Sequence, residues 1–220
     1  MTSSVEAGVV GARRVRARGE ALLDPGSGEW SRAQEVAIPL VPTPLDRQPS
    51  AYVQVAWADR PRGDIREVGV AALVNAGTLA VRLAWSAARP NRFISDVNVH
   101  PDACAVLFPA NGSGFEYDSM GSPSRPVNGW HWRAGTEEPF AITATGIGTV
   151  ARATEHDVKA AARWSDGVWQ VVLARALAAE GVPLSHDMTV PVAFAIWSGA
   201  AGERAGLKSY SPRPHELRID

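Results

Sequence analysis

The chain has 220 residues, 45% of them hydrophobic and 20% charged, with a formal net charge of −1. That length suits one domain with a sizeable core, and the composition excludes a disordered chain. A pI near 6.5 leaves no basic excess for a nucleic-acid or anionic-membrane surface.

Residues 1–23 read as a loosely ordered extension ahead of one domain spanning 24–220. Arg13, Arg14, Arg16 and Arg18 are not followed by an apolar stretch of signal-peptide type. On this chain alone the expected compartment is the cytoplasm. No run approaches the roughly 18–20 apolar residues of a membrane span.

Val36, Ile38 and Leu40 alternate, but Pro39 and Pro42 confine that segment to a sheet edge. Residues 51–57 place Val53, Val55 and Trp57 on one face and read as a strand. Residues 68–74 and 79–85 flank Asn75-Ala76-Gly77, a hairpin pattern that turns Leu79, Val81, Leu83 and Trp85 one way and Arg82 the other. Residues 102–109 are apolar on both faces, as in a central strand. Trp130-His131-Trp132-Arg133 alternates again. Residues 154–163 fit a helix by propensity, yet the Asp166-Gly167 turn demands a strand partner for Val168–Leu173, so a strand is expected at their end. Thr189–Trp197 closes the series. About eight to ten short strands predict an all-β fold, an antiparallel sandwich of jelly-roll type.

Candidate chemistry starts from what is scarce. Twenty arginines accompany two lysines, Lys159 and Lys208. The three methionines are Met1, Met120 and Met188. Met120 lies in the Gly/Ser/Pro loop Tyr117–Pro123, and Lys208 lies in the loop Glu203–Ser211. A desolvated lysine can surrender its proton and offer a lone pair, which arginine cannot. A thioether and a neutral amine are both plausible axial ligands for a haem iron. The single cysteine, Cys104, sits in an apolar run, which excludes an intramolecular disulfide, a Cys-x-x-Cys-His haem attachment and an iron–sulfur cluster held by this chain. Five histidines are scattered singly, with no His-x-x-x-His pair. His131 reads as a polar-face residue, with ligation of a haem as the open alternative. There is no Gly-x-Ser-x-Gly, P-loop or Rossmann pattern.

These segments, taken together and in order, resemble a known family. The match runs through Asp24-Pro25…Trp30, Leu79–Trp85, Asp102–Pro109, Met120-Gly121…Pro126–Ala134, Asp166–Leu177, Val192–Gly199 and Glu203…Ser211. It resembles the haem-b-binding γ subunit of the type II dimethyl sulfoxide reductase family. Relatives are γ subunits of ethylbenzene dehydrogenase, dimethyl sulfide dehydrogenase, chlorate and selenate reductases and a steroid dehydrogenase. The chain departs from the pattern at Ser86-Ala87-Ala88, where acidic residues are usual, and in lacking an export signal.

The resemblance implies a β-sandwich akin to carbohydrate-binding modules, with one non-covalent haem b held between loops. It implies Met120 and Lys208 as axial ligands. Trp130, Trp132 and Phe108, with Phe115, are expected to supply the apolar setting; Arg133, Arg125 or Arg204 is expected to meet the propionates. Both axial positions are then filled, so the implied role is electron relay rather than catalysis. The implied partners are a molybdopterin catalytic α subunit, an iron–sulfur β subunit and an external carrier such as a cytochrome c or a quinone-linked protein. Family habit favours the periplasm. The competing reading is a haem-free carbohydrate-binding module, in which Trp57, Trp130, Trp132 or Trp197 stacks on sugar rings.

Overall fold

Two tight turns organise the first sheet. The computed structural model describes residues 8–94, 96–111, 114–136 and 138–220; residues 1–7 of the expected extension lie outside them. The elements in chain order are β1 (Val9–Arg14), α1 (Glu20–Leu23), β2 (Val36–Pro39), β3 (Val41–Pro42), α2 (Ala51–Ala56), β4 (Glu67–Val74) and β5 (Thr78–Ser86). There follow β6 (Ala103–Pro109), β7 (Val127–Arg133), β8 (Phe140–Ala144), β9 (Ala151–Arg152), β10 (Lys159–Ser165), β11 (Val168–Ala176), β12 (Met188–Trp197), β13 (Ser209–Tyr210) and β14 (His215–Ile219). Between β4 and β5, Asn75 Oδ1 accepts hydrogen bonds from the backbone N–H of Gly77 (3.0 Å) and Thr78 (2.9 Å). Between β10 and β11, Asp166 and Gly167 both adopt positive φ, 53° and 78°, as a two-residue type I′ hairpin requires. The strand expected ahead of that turn is therefore present.

The hydrogen-bonded order is β10-β11-β5-β4-β1-β14-β12-β6-β7-β8-β9. β12 is the hinge of this ladder. Met188–Val192 pairs with β14, and Ala193–Trp197 pairs with β6. The two ends then face one another, and their inward side chains form one core. Trp132 of the second layer packs 5.0 Å from Trp169 and 6.4 Å from Trp85 of the first, measured between ring centroids. This is the expected sandwich, with one correction: β1 pairs parallel to both β14 and β4, so the sheet is not purely antiparallel.

Two expectations meet a different structure. Within the supposed loose extension, residues 9–14 form β1 in mid-sheet, with Val10 and Ala12 fully buried. The signal is weak because only two side chains of that strand point inward and three of its neighbours are arginines or glycine. Residues 51–57 form no strand; α2 takes Ala51–Ala56, with Ser50 Oγ accepting from the Val53 N–H at 3.5 Å. A cap satisfies an otherwise orphaned donor at the helix start. Val55 is 79% exposed, so its β-propensity finds no face to pack on. No helix among the described residues is long and apolar enough to cross a membrane.

Candidate functional site

Strand alternation gives β6 and β7 two different faces. Cys104, Val106 and Phe108 point into the sandwich, as do Trp130 and Trp132. Ala103, Ala105 and Leu107 point outward, as do His131 and Arg133. Small residues on that outer face leave room, and loops from three regions stand around it. The result is a cavity of about 760 Å³, within the usual size range of small-molecule sites. Its floor is β6, β7 and the β8 residues Phe140 and Ile142; its walls are the 43–57 segment, the Met120 loop and the segment from Trp197 to Tyr210.

Met120 and Lys208 both line this cavity. Met120 is held in the left-handed region at φ 58°, ψ 34°, a conformation that costs a side-chain-bearing residue about 1–2 kcal/mol. Its N–H donates to Tyr117 O (3.1 Å), and its carbonyl accepts from the Gly146 N–H (3.0 Å). Gly121 follows at φ 87°, where an added Cβ would meet Ala144 O and Arg125 O at 2.9 Å. Such enforced strain is characteristic of functional loops.

Lys208 is fixed through its backbone. Its carbonyl accepts from the Thr43 N–H (2.9 Å) and Oγ1 (3.1 Å). Gln48 Nε2 donates to Gly206 O (3.1 Å), and Trp197 Nε1 donates to Ala205 O (3.0 Å). The buried Glu203 carboxylate ties the loop to the body, accepting from the N–H groups of Gly63 (2.9 Å), Asp64 (3.3 Å) and Ser198 (2.9 Å). Burial raises its carboxyl above the usual range, against those three bonds. The Lys208 side chain has no carboxylate partner among the described residues. Its Nζ lies 5.4 Å from the centroid of Trp197, and burial pushes its pKa down to about 8. An amine so placed is readily deprotonated, which metal ligation requires.

His131 lies between Phe140, stacked at 4.4 Å, and Trp197 at 5.0 Å. Burial pushes its pKa down to about 3, helped by the charges of Arg152, Lys208 and Arg133; the ring is neutral.

The structure brings Met120, Lys208, Arg133 and Arg204 to one cavity and leaves other expected residues elsewhere. Phe108, Trp130 and Trp132 face the sandwich core, Phe108 and Trp130 in mutual contact at 4.8 Å. They therefore do not line the cavity, because period-two alternation sends them to the opposite side from His131 and Arg133. Arg125 instead pairs with Glu116 at 3.0 Å. Met188 accepts from the Ser185 N–H (3.0 Å), and Lys159 is exposed on β10; neither borders the cavity. Sequence reading missed Leu107, Phe140, Ile142 and Tyr210 as apolar lining. The pleat opposite Trp130 and Trp132 was the available signal. Among the described residues no three His, Cys, Asp or Glu side chains gather as a metal site. The donors that do converge are a soft thioether and an unpaired amine on an apolar slot, a set that suits a haem iron.

Comparison with known proteins gives a consistent picture. The ethylbenzene dehydrogenase family matches residues 27–156 and 141–209. Chlorate reductase subunit gamma of Ideonella dechloratans is 40% identical over 65% of this chain and 61% of its own length. A candidate heme subunit of respiratory nitrate reductase from Haloferax mediterranei is 32% identical over 87% of this chain and 66% of its own. Dimethylsulfide dehydrogenase subunit gamma of Rhodovulum sulfidophilum is 28% identical over 86% of this chain and 72% of its own. The chain thus spans just under two thirds of the length of the first two relatives. In fold it is similar to a family 9 carbohydrate-binding module from Caldicellulosiruptor kristjanssonii in complex with glucose (TM-score 0.52, 8% identity, 96% of this chain and 95% of that one). It is likewise similar to a Bacteroides uniformis protein described as carbohydrate-binding (TM-score 0.56, 10% identity, 98% and 100%). At such identities the likeness concerns architecture alone.

Proposed function

This chain belongs to the ethylbenzene dehydrogenase family, and on that premise we propose that it is an electron-transfer subunit holding one haem b in the cavity outside β6, β7 and β8. The reading rests on one observation: Met120 and Lys208, from loops far apart in sequence, border the same apolar cavity. A haem there would supply one-electron redox chemistry at the iron.

The chain's own residues supply the rest. Met120 presents a thioether, which favours the reduced metal and raises the potential. Lys208 presents an amine whose burial, without a carboxylate partner, disfavours the charged form. Leu107, Ile142 and Phe140 line the slot and would shield a bound group from water on that side. Binding is non-covalent, since the one cysteine, Cys104, is fully buried in the other face of β6. Met120 and Lys208 would both hold the iron, leaving it for electron relay rather than substrate chemistry. The partners of this reading are a molybdopterin catalytic subunit and an iron–sulfur subunit, with an external carrier completing the relay.

The test is reconstitution of the purified chain with haem, followed by a pyridine haemochrome assay and a reduced spectrum. The expected result is one b-type haem per chain with a low-spin α-band. Met120→Ala and Lys208→Ala should each abolish the six-coordinate low-spin spectrum. A protein that takes up no haem, or whose spectrum survives both substitutions, overturns the reading; retention of a colourless protein on a polysaccharide column would put a sugar in the cavity instead.

A further inference from the structure

His131 has a nitrogen problem that the protein itself does not solve. Its Nδ1 is buried and has no hydrogen-bond partner among the described residues. Its other nitrogen, Nε2, belongs to a ring that borders the cavity and is not among the buried unpartnered atoms. A neutral imidazole carries one proton. A proton on Nδ1 would leave a buried N–H with no acceptor, whereas a proton on Nε2 can be met by a guest in the cavity that the ring borders. We therefore assign the proton to Nε2, on the cavity side. The ring cannot swing away, because Phe140 stacks on it at 17° between planes and Trp197 covers it at 5.0 Å.

The next outward residue on the same strand face is Arg133, which also lines the cavity. Two residues along a strand place the two side chains about 7 Å apart. A neutral N–H donor and a guanidinium, side by side at one wall of an otherwise apolar slot, form a receptor for a carboxylate-bearing guest. Arg204 adds a further positive charge at the cavity wall.

Resting on the haem reading above, we propose that His131 is a binding residue that donates from Nε2 to a carboxylate of the bound group, with Arg133 beside it, and so fixes the rotation of that group in the slot. For a haem the carboxylate is a propionate. Met120 and Lys208 would hold the iron but would leave the rotation of the ring open; a donor pair on one strand would fix it.

The experiment compares haem with its dimethyl ester, which keeps the iron and ring but lacks both carboxylates. The chain carries His131→Phe, which keeps the stack on Phe140 and loses the donor, or His131→Gln, which restores a donor. Binding is followed by spectroscopic titration, and circular dichroism checks the fold. His131→Phe should weaken haem binding roughly tenfold or more, as expected for loss of a hydrogen bond to a charged group. It should leave the low-spin spectrum and the affinity for the ester unchanged, and His131→Gln should recover part of the loss. Equal weakening for haem and ester, or no weakening of either, overturns the proposal. If the unsubstituted chain binds neither compound, the haem reading itself has failed, and that outcome is distinct.

Discussion

The outer faces of the two sheets are built by the same alternation, yet the part of the first that lies under Trp30 is closed and the second is hollow. On the first sheet, Ala71, Leu73, Ala80, Val172 and Ala174 point outward, and the chain covers them with Val15, Leu22 and Trp30. Trp30 is 1% exposed, and Arg82 lies over its ring at 5.2 Å. On the second sheet, Ala103, Ala105 and Leu107 are equally small or apolar; Trp197 packs against the two alanines at one end, yet a cavity remains above the floor. The covering loops, fixed by their own backbone hydrogen bonds, present Met120 and Lys208 to the gap, and β7 presents His131 from the floor. Outward small residues alone therefore do not distinguish a covered face from a binding floor; what sits in the covering loop does.

That contrast can be broken at its closed half first. Trp30→Ala should empty a filled space and destabilise the protein by about 3–5 kcal/mol, read as a fall in Tm. Haem binding at a permissive temperature should be unchanged, since Trp30 borders only the first sheet. A Trp30→Ala protein that keeps its stability would mean that this face is not a real core.

Next comes the acid behaviour of the open half. His131 is neutral in the fold with a pKa of about 3, whereas the unfolded chain takes up a proton near pH 6.5. The unfolded state thus binds more protons between those values, and stability falls as pH drops below about 6.5, by up to about 1.4 kcal/mol per pH unit. His100 and His215 are lowered in the same direction by burial, so the diagnostic is a difference. Denaturant midpoints of His131→Phe should decline less than those of the unsubstituted chain between pH 7 and 5; parallel declines would count against a buried neutral ring.

The smallest effect sharpens the comparison most. Lys208→Met removes an unpaired amine from the cavity wall, so the haem-free protein should gain about 0.5–2 kcal/mol while losing the six-coordinate spectrum. The folded pKa is lowered to about 8, so the unsubstituted chain itself gains stability as pH rises from about 8 towards 10.5. The advantage of Lys208→Met should shrink over that same window in thermal melts. A variant less stable than its parent would show that the amine stabilises the empty fold.

Much of this was written in local chemistry. The Asn75–Thr78 and Asp166-Gly167 turns, the central strand at Ala103–Pro109 and the outward Arg82 all follow from residue type and period two. So did the oddity of Met120 and Lys208, because a loop of Gly, Ser and Pro offers a methionine no core, and a chain that otherwise uses arginine keeps few lysines. Three things were not so written. Val53, Val55 and Trp57 looked like a strand face, but capping by Ser50 and the lack of a pairing edge made a helix that walls the cavity. Val9–Arg14 looked expendable, but two inward side chains suffice when neighbours on both sides supply backbone partners. Trp130 and Trp132 looked like cavity lining because aromatic residues suit a flat guest, and the pleat sent them inward.

Sequence alone thus determined most of the long strands, the two hairpin turns and the scarcity that singled out Met120 and Lys208, since each depends on side chains within a few residues of one another. Only tertiary structure decided which side of β7 faces the cavity and that residues 120 and 208 border it together. Register and loop placement depend on pairings between segments tens of residues apart, and no local preference encodes them.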